Sequence, residues 1–261
     1  MPIITLTTDF GSGDHFAGTM KGVILGIAPR ASIVDITHEI APYQVGEAAF
    51  VIAQAWRYFP KRTIHVIVVD PGVGSARRPI LVEAGGHLFV APDNGVLSMI
   101  YGAVKHRVRV ISNAKVMLDP VSRTFHGRDI FAPAAAHLVA GVAPARFGTK
   151  IDDYVRAAFV TPRKVLRGGW SGVVLKADHF GNLITNFHID DFPSVRTGVL
   201  ELRVGGQRIH RLALTYAETA IGEVFAIVGS SGYIEIAANQ ASAAKTLGCG
   251  AGATVELEVL R

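Results

Sequence analysis

Residues 3–11 read Ile3-Ile4-Thr5-Leu6-Thr7-Thr8-Asp9-Phe10-Gly11, and apolar side chains then recur at Phe16, Met20, Ile24 and Ile27 until Pro29. The first run has the length of a strand; the second has helical spacing that a proline closes. A strand feeding a helix through a glycine-bearing turn is the opening unit of an α/β domain. Further along, Val45, Ala48, Ala49, Ile52, Trp56 and Phe59 mark a second helix that stops before Pro60. Residues 64–69 form a run that is β-branched at every position but His65, as expected of a strand covered on both faces, and it ends on Asp70. Pro79–Ala84 and residues 87–91 flank Gly85-Gly86 as a hairpin, and residues 128–140 have the pattern of another helix. The first half is predicted to be an α/β domain with a largely parallel sheet.

The pattern changes after about residue 160. Residues 173–177, 184–187, Val199–Val204, 208–214, Val224–Val228, 234–238 and Thr254–Leu260 are short strand candidates separated by Gly, Asn and Asp, with one helical segment around 241–247. This predicts a smaller all-β, barrel-like C-terminal domain. The expected division is 1–160, a turn-rich linker at 161–169, and 170–261.

Composition narrows the function. The chain has 261 residues, 49% apolar and 18% charged, which excludes a disordered or low-complexity protein. The formal charge is +5, but 16 basic residues face 12 acidic ones up to residue 160 and 10 face 9 beyond it. Nucleic-acid binding, which needs a clustered basic stripe, is not expected. The single cysteine, Cys249, has no zinc-like spacing around it and reads as a small packed residue. No apolar run reaches transmembrane length: the longest, residues 131–145, is interrupted by prolines, a glycine and His137. With no signal peptide evident before the first strand, a cytoplasmic protein is expected.

Ligands of parallel α/β domains bind beyond the carboxyl ends of the strands, and Asp9 and Asp70 stand at two such ends. Each can accept hydrogen bonds from a sugar diol, or simply cap a turn. Gly11-Ser12-Gly13 lacks the third glycine of a dinucleotide fingerprint, and Asp70-Pro71-Gly72-Val73-Gly74 lacks the Gly-Lys-Ser/Thr ending of a phosphate loop. The latter is instead a tight turn that brings Arg77 back towards Asp70 and leaves Arg78 to face water. His126 precedes a helix and is open to three roles: general base, orienting group or structural residue. Asp129 reads as a favourable charge in the first helical turn. His126, Asp129 and His137 make no metal set, and no Gly-x-Ser-x-Gly elbow is present. In the second half, Asp178-His179-Phe180-Gly181-Asn182 and Gly229-Ser230-Ser231-Gly232-Tyr233 are turns after strands that carry polar groups.

These blocks, taken in order, resemble the S-adenosyl-L-methionine (SAM) hydroxide adenosyltransferase family, relatives of the fluorinating and chlorinating SAM enzymes. The resemblance rests on Thr7-Thr8-Asp9-Phe10-Gly11 with Lys21-Gly22, Val34-Asp35-Ile36-Thr37-His38, Val69-Asp70-Pro71-Gly72-Val73-Gly74, Ala91-Pro92-Asp93-Asn94-Gly95, Thr124-Phe125-His126-Gly127-Arg128-Asp129-Ile130-Phe131, the 178–182 turn and Ser231-Gly232-Tyr233-Ile234-Glu235-Ile236. It implies an α/β domain followed by a barrel-like β domain, in a homotrimer with SAM at the subunit interface. It further implies a catalytic set of Asp70, Arg77 and His126. Asp9 would hold the ribose hydroxyls and Asn182 the adenine edge, with Tyr43 and Tyr216 as rings beside the nucleoside. Asp178, Ser230, Ser231 and Glu235 would lie at the methionine end or its surroundings. Gly229 and Ala238 depart from relatives that carry ligand-contacting side chains there.

The implied reaction is hydrolysis of SAM to adenosine and L-methionine, with SAM as substrate and no metal or other cofactor. Halogenating relatives keep an aromatic residue in place of Asp70, and the fluorinating type carries a surface insertion for which the Gly85-Gly86 turn leaves no room. Two other classes compete. A SAM or nucleoside binder without turnover would need only Asp9 and Asn182, and a methyltransferase would need a glycine-rich SAM loop that is absent.

Overall fold

The computed structural model describes residues 2–158, 161–165, 168–196 and 198–260, the last by its backbone. The chain divides into two compact units, Met1–Ala157 and Ala158–Arg261. Residue 160, the expected boundary, and residues 166 and 167 of the expected linker lie outside the described residues.

The N-terminal unit is built on a seven-stranded sheet with the order β2-β1-β3-β5-β4-β6-β7. Its strands are β1 (Ile3–Thr8), β2 (Ser32–Thr37), β3 (Ile64–Val68), β4 (Pro79–Ala84), β5 (His87–Pro92), β6 (His106–Val110) and β7 (Lys150–Ile151). The expectation of a largely parallel sheet holds for only half of it. β2, β1, β3 and β5 run parallel, whereas β4, β6 and β7 are added antiparallel. The reversal is made at Gly85 and Gly86, whose φ values of +57° and +85° suit the tight turn joining β4 to β5.

β3 shows why this sheet is buried. Ile64, Val66 and Val68 pack into one core with α1 (Phe16–Ile27) and α4 (Ala132–Val139), while Ile67 and Val69 pack into a second core with α2 (Val45–Ala55) and α3 (Ser98–Ala103). A two-residue period that is apolar on both phases is the pattern of a strand sandwiched between helical layers. β1 and β3 pair in parallel with Thr8 opposite Val68. Asp9 and Asp70 therefore emerge beyond the same sheet edge, on neighbouring strands.

The predicted helix over 128–140 begins differently. Gly127–Phe131 is a π-helical turn, and regular α-helix starts only at Ala132. Such wider turns recur next to functional groups because they offset the side chains before them. This one follows His126.

The C-terminal unit carries a nine-stranded sheet with the path β12-β11-β16-β9-β10-β15-β14-β13, and β8 (Arg163–Lys164) pairs with β9 (Trp170–Ala177). The remaining strands are β10 (Leu183–His188), β11 (Val199–Val204), β12 (Gln207–Ile209), β13 (Leu212–Ala213), β14 (Val224–Val228), β15 (Tyr233–Ala238) and β16 (Thr254–Leu260), with one helix, α5 (Ala243–Leu247). The expected strand at 208–214 is two short ones. The pairing path has two ends, β12 and β13. Among the described residues no helix is long and apolar enough to cross a membrane.

Candidate functional site

The N-terminal unit holds a cavity of about 330 Å³ at the carboxyl edge of β1 and β3, with Asp9, Phe10, Tyr43, Asp70, Phe125 and His126 in its wall. Arg77 lies behind two of them. Its Nε donates to Asp70 Oδ1 at 2.8 Å, its Nη2 donates to Asp70 Oδ2, and Nη2 also donates to His126 Nδ1 at 2.8 Å. The three side chains that sequence reasoning grouped, separated by up to 56 positions in the chain, thus form one bonded line.

The turn at 70–77 makes this contact. Val73 N–H donates to the Asp70 carbonyl, Ser75 Oγ donates to the Gly72 carbonyl at 2.6 Å, and Arg77 N–H donates to Ser75 Oγ. Gly74 adopts φ +77°, and a Cβ there would come within 2.3 Å of the Arg123 carbonyl oxygen. Only glycine allows this approach, which sets the Asp70 loop against the strand of chain that leads to His126. Beneath Arg77, the Phe131 ring lies 5.2 Å from the guanidinium carbon.

Electrostatics fix the state of the imidazole. A guanidinium has no acceptor, so the Nδ1 that faces Arg77 must be unprotonated, and the neutral ring carries its hydrogen on Nε2. Burial and the neighbouring Arg77 charge both push the His126 pKa below its ordinary value, against the opposing pull of Asp70 and the Ser122 carbonyl. Both routes lead to a neutral imidazole at pH 7.

Asp9 is also tuned. Burial raises its pKa, the Tyr43 backbone N–H that its Oδ2 accepts at 3.0 Å works against the rise, and nearby Asp70 adds to it. Tyr43 sits at φ +67° and is 71% exposed. The loop after Asp9 is braced from β2, because Thr8 Oγ1 and His38 Nδ1 are 2.8 Å apart, His38 Nε2 meets Asp35, and Gly11 N–H donates to the His38 carbonyl.

On the C-terminal unit a second cavity, of about 570 Å³, is lined by Phe180, Asn182, Tyr216 and residues 238–241. Asp178 organises this wall. Its Oδ1 accepts the N–H groups of Phe180 and Asn182, and its Oδ2 accepts the Asn182 side-chain amide at 2.9 Å. The carboxylate orders the turn that presents Asn182. Tyr216 stands edge-on to Phe225, its pKa raised by burial and by Glu235 and Asp178.

Glu235 is buried on β15, and its carboxyl fills the space beside Gly229, where a Cβ would fall 1.8 Å from Oε1. Burial, with Asp178 nearby, pushes its pKa up to about 7. The missing side chain at 229 is thus the room this carboxyl occupies. Ser230 is exposed and Ser231 half-buried on the turn between β14 and β15.

Sequence reasoning missed the aromatic wall. Phe10, Phe16 and Phe125 pack with centroids 5.1–5.9 Å apart, and Phe180 and Gln240 border the second cavity. Phe10 and Phe125 adjoin the polar motif residues, and that adjacency was the available signal. Arg78 does not simply face water: it donates to Asp93 at 2.7 Å and to Asp153 at 2.8 Å. Among the described residues no group of three or more His, Cys, Asp or Glu side chains is arranged to hold a metal ion.

With this geometry in place, two family models match the chain, the SAM hydroxide adenosyltransferase N-terminal domain over residues 4–148 and the C-terminal domain over residues 172–256. The chain belongs to the SAM hydroxide adenosyltransferase family. A relative from Salinispora tropica called (R)-S-adenosyl-L-methionine hydrolase is 37% identical over 95% of this chain and 94% of its own length. One of the same name from Thermus thermophilus is 34% identical over 96% and 97%. A fluorinase from an Actinoplanes species is 31% identical over 97% and 96%. A crystal structure of an uncharacterized conserved protein from Thermotoga maritima superposes with a TM-score of 0.87 at 36% identity, covering 98% of this chain and 99% of that one.

Proposed function

We propose that this protein hydrolyses SAM to adenosine and L-methionine, with water attacking C5′ of the ribose as the sulfonium leaves. The observation that carries the reading is the bonded line Asp70–Arg77–His126 on the wall of a cavity that also contains Asp9 and Tyr43. The names of the relatives support the same reaction, and from them we propose the (R) sulfonium epimer as the substrate.

The chemistry matches the groups. A sulfonium departs as a neutral thioether, so the leaving group requires neither protonation nor a Lewis acid, and we propose that no metal or cofactor takes part. The demand falls on the nucleophile, because bulk water has a pKa of ~15.7 and must lose a proton as it attacks. Of the three groups, Arg77 has no lone pair, and the His126 Nδ1 pair is taken by Arg77. Asp70 keeps unused lone pairs beside its bonds to Arg77, so Asp70 is the proposed proton acceptor, Arg77 fixes its carboxylate, and His126 orients Arg77. Holding the water in line supplies several kcal/mol, up to roughly 7–11 in ideal cases.

For the substrate, Asp9 is the proposed acceptor for the ribose hydroxyls, Asn182 the contact for the adenine edge, and Tyr43 and Tyr216 the flanking rings. Asp178, Ser230, Ser231 and Glu235 are proposed for the methionine end, Asp178 through the turn it orders. We further propose a homotrimer with the substrate at the subunit interface, located in the cytoplasm.

The fluorinase relatives make halogenation the second reading. A bare carboxylate about 4 Å from a halide would repel it by roughly 4 kcal/mol at an effective dielectric of 20. The Arg77 charge offsets part of this, and water carries no such penalty. Incubation of (R)-SAM in ¹⁸O-water with and without halide separates the readings. Hydrolysis puts label on the 5′-oxygen of adenosine, halogenation yields a 5′-halonucleoside, and a binder without turnover releases no product.

A further inference from the structure

The carboxylate of Asp129 has no part in the mechanism above, yet it is 1% exposed and fully hydrogen-bonded. Its Oδ2 accepts the backbone N–H of Ser122 at 2.8 Å, and Arg128 donates to it through Nε at 2.6 Å and Nη2 at 3.0 Å. Burial alone would raise its pKa, but the bonds from Arg128 and Ser122 prevail and hold it below the usual carboxylate range. A favourable charge at a helix start needs none of this: it works from the surface, where Asp129 is not.

The Ser122 that Asp129 grips is itself tied to the segment that carries the imidazole: its Oγ accepts the Phe125 N–H at 3.0 Å, which fixes the residue before His126, and its carbonyl raises the His126 pKa. Asp129 in turn is held in place by the π-helical turn, its N–H donating to the Phe125 carbonyl and its carbonyl accepting from Leu118. Hydrogen bonds run from Arg128 through Asp129 to Ser122 and on to Phe125, the chain neighbour of His126, and from His126 to Arg77 and Asp70.

We propose that Asp129 is a positioning residue for the hydrolytic site: by clamping the Ser122 backbone it fixes the His126 ring with Nδ1 turned to Arg77. The offset of the π turn has a use in this arrangement, since it lets a carboxylate three residues after His126 reach back past the ring to the chain preceding it. The role rests on the hydrolase reading for its kinetic consequence but not for its structural one. The groups that face the ring are Arg77 and Asp70 from the 70–77 turn, and Asp129 and the Ser122 carbonyl from its own segment.

The test uses Asp129→Ala, Asp129→Asn and the full-length wild type, with steady-state kinetics on SAM and ¹⁵N NMR of the imidazoles, the His126 signal being assigned by its loss in His126→Gln. In the wild type the His126 ring should be the Nε2–H tautomer. Asp129→Ala should mix the tautomers and lower kcat by about tenfold to a hundredfold, the scale of a misplacement approaching 1 Å, with KM within threefold. Asp129→Asn keeps an oxygen that can accept the Ser122 N–H, so it should fall between Ala and wild type and serves if Ala does not fold. Unchanged kcat in a folded Asp129→Ala overturns the proposal, as does a fall in kcat with the His126 tautomer unaltered, the mark of a merely structural residue. If the wild type itself does not turn over SAM, the hydrolase reading fails, while the tautomer measurement still decides whether Asp129 sets the ring.

Discussion

Replacing Gly74 by alanine probes the geometry of the site without touching any of its functional groups. The added Cβ would stand 2.3 Å from the Arg123 carbonyl oxygen, about 1 Å inside an ordinary carbon–oxygen contact. Backbone at φ +77° resists any such residue as well, at about 1–2 kcal/mol. The Cβ is fixed by its own backbone and the atom it meets is a backbone oxygen, so the clash is relieved by moving the 70–77 turn away from residues 123–126, the separation that the 2.8 Å contact between Arg77 and His126 spans. A shift of that size in a catalytic arrangement costs on the order of a hundredfold in rate. The measurement is adenosine released from SAM under saturating substrate, beside a thermal melt. The expected result is a folded protein, less stable by about 1–3 kcal/mol, with kcat down about a hundredfold. A folded Gly74→Ala enzyme with kcat within threefold of wild type would refute the argument that this glycine sets the distance between the two halves of the line.

Three further outcomes follow from the same structure. Asp70→Asn should lower kcat at least about a hundredfold while SAM binding, measured by calorimetry, survives, since an amide cannot take the proton; comparable rates would remove Asp70 as the acceptor. Because burial and Arg77 lower the His126 pKa, the acid limb of kcat/KM should have its midpoint below 6.5, the ring's ordinary value; a limb above that value that disappears in His126→Gln would show that the ring's pKa is not lowered. Away from the site, His65 is buried with Nδ1 2.7 Å from Thr5 Oγ1 and Nε2 3.2 Å from His87, and its pKa is pushed down to about 3, first by burial and then by His87. Between 6.5 and about 3 the folded state binds fewer protons than the unfolded one, so stability should fall as the pH falls, by about 2 kcal/mol from pH 6.5 to pH 4.5. Urea midpoints at both pH values, compared with His65→Gln, test this; an equal drop in the variant would assign the loss to other groups.

The sequence was most legible where one residue pattern admitted one structure. The run at 64–69 is apolar at every position but His65, as suits a strand between two helical layers, and β3 is buried throughout. The 3–11 segment and the helix after it read equally well. β2 was not legible as a strand: it lies at the sheet edge with Val34 and Asp35 exposed, so burial left little apolar alternation to read. The π turn was hidden for a related reason, because residues 128–140 carry helical spacing whether or not the first turn is widened.

Chain order alone determined which residue types stand at the strand ends: an acid after β1, an acid after β3 and a histidine before α4. Their convergence was a matter of tertiary structure. Asp9 and Asp70 are neighbours because β1 and β3 pair in parallel with Thr8 opposite Val68, and Arg77 meets His126 because Gly74 lets one backbone approach another. The protonation state of the imidazole was fixed only there too. A histidine's charge depends on what faces its nitrogens and how much water reaches them, and neither is written in the residues beside it in the chain.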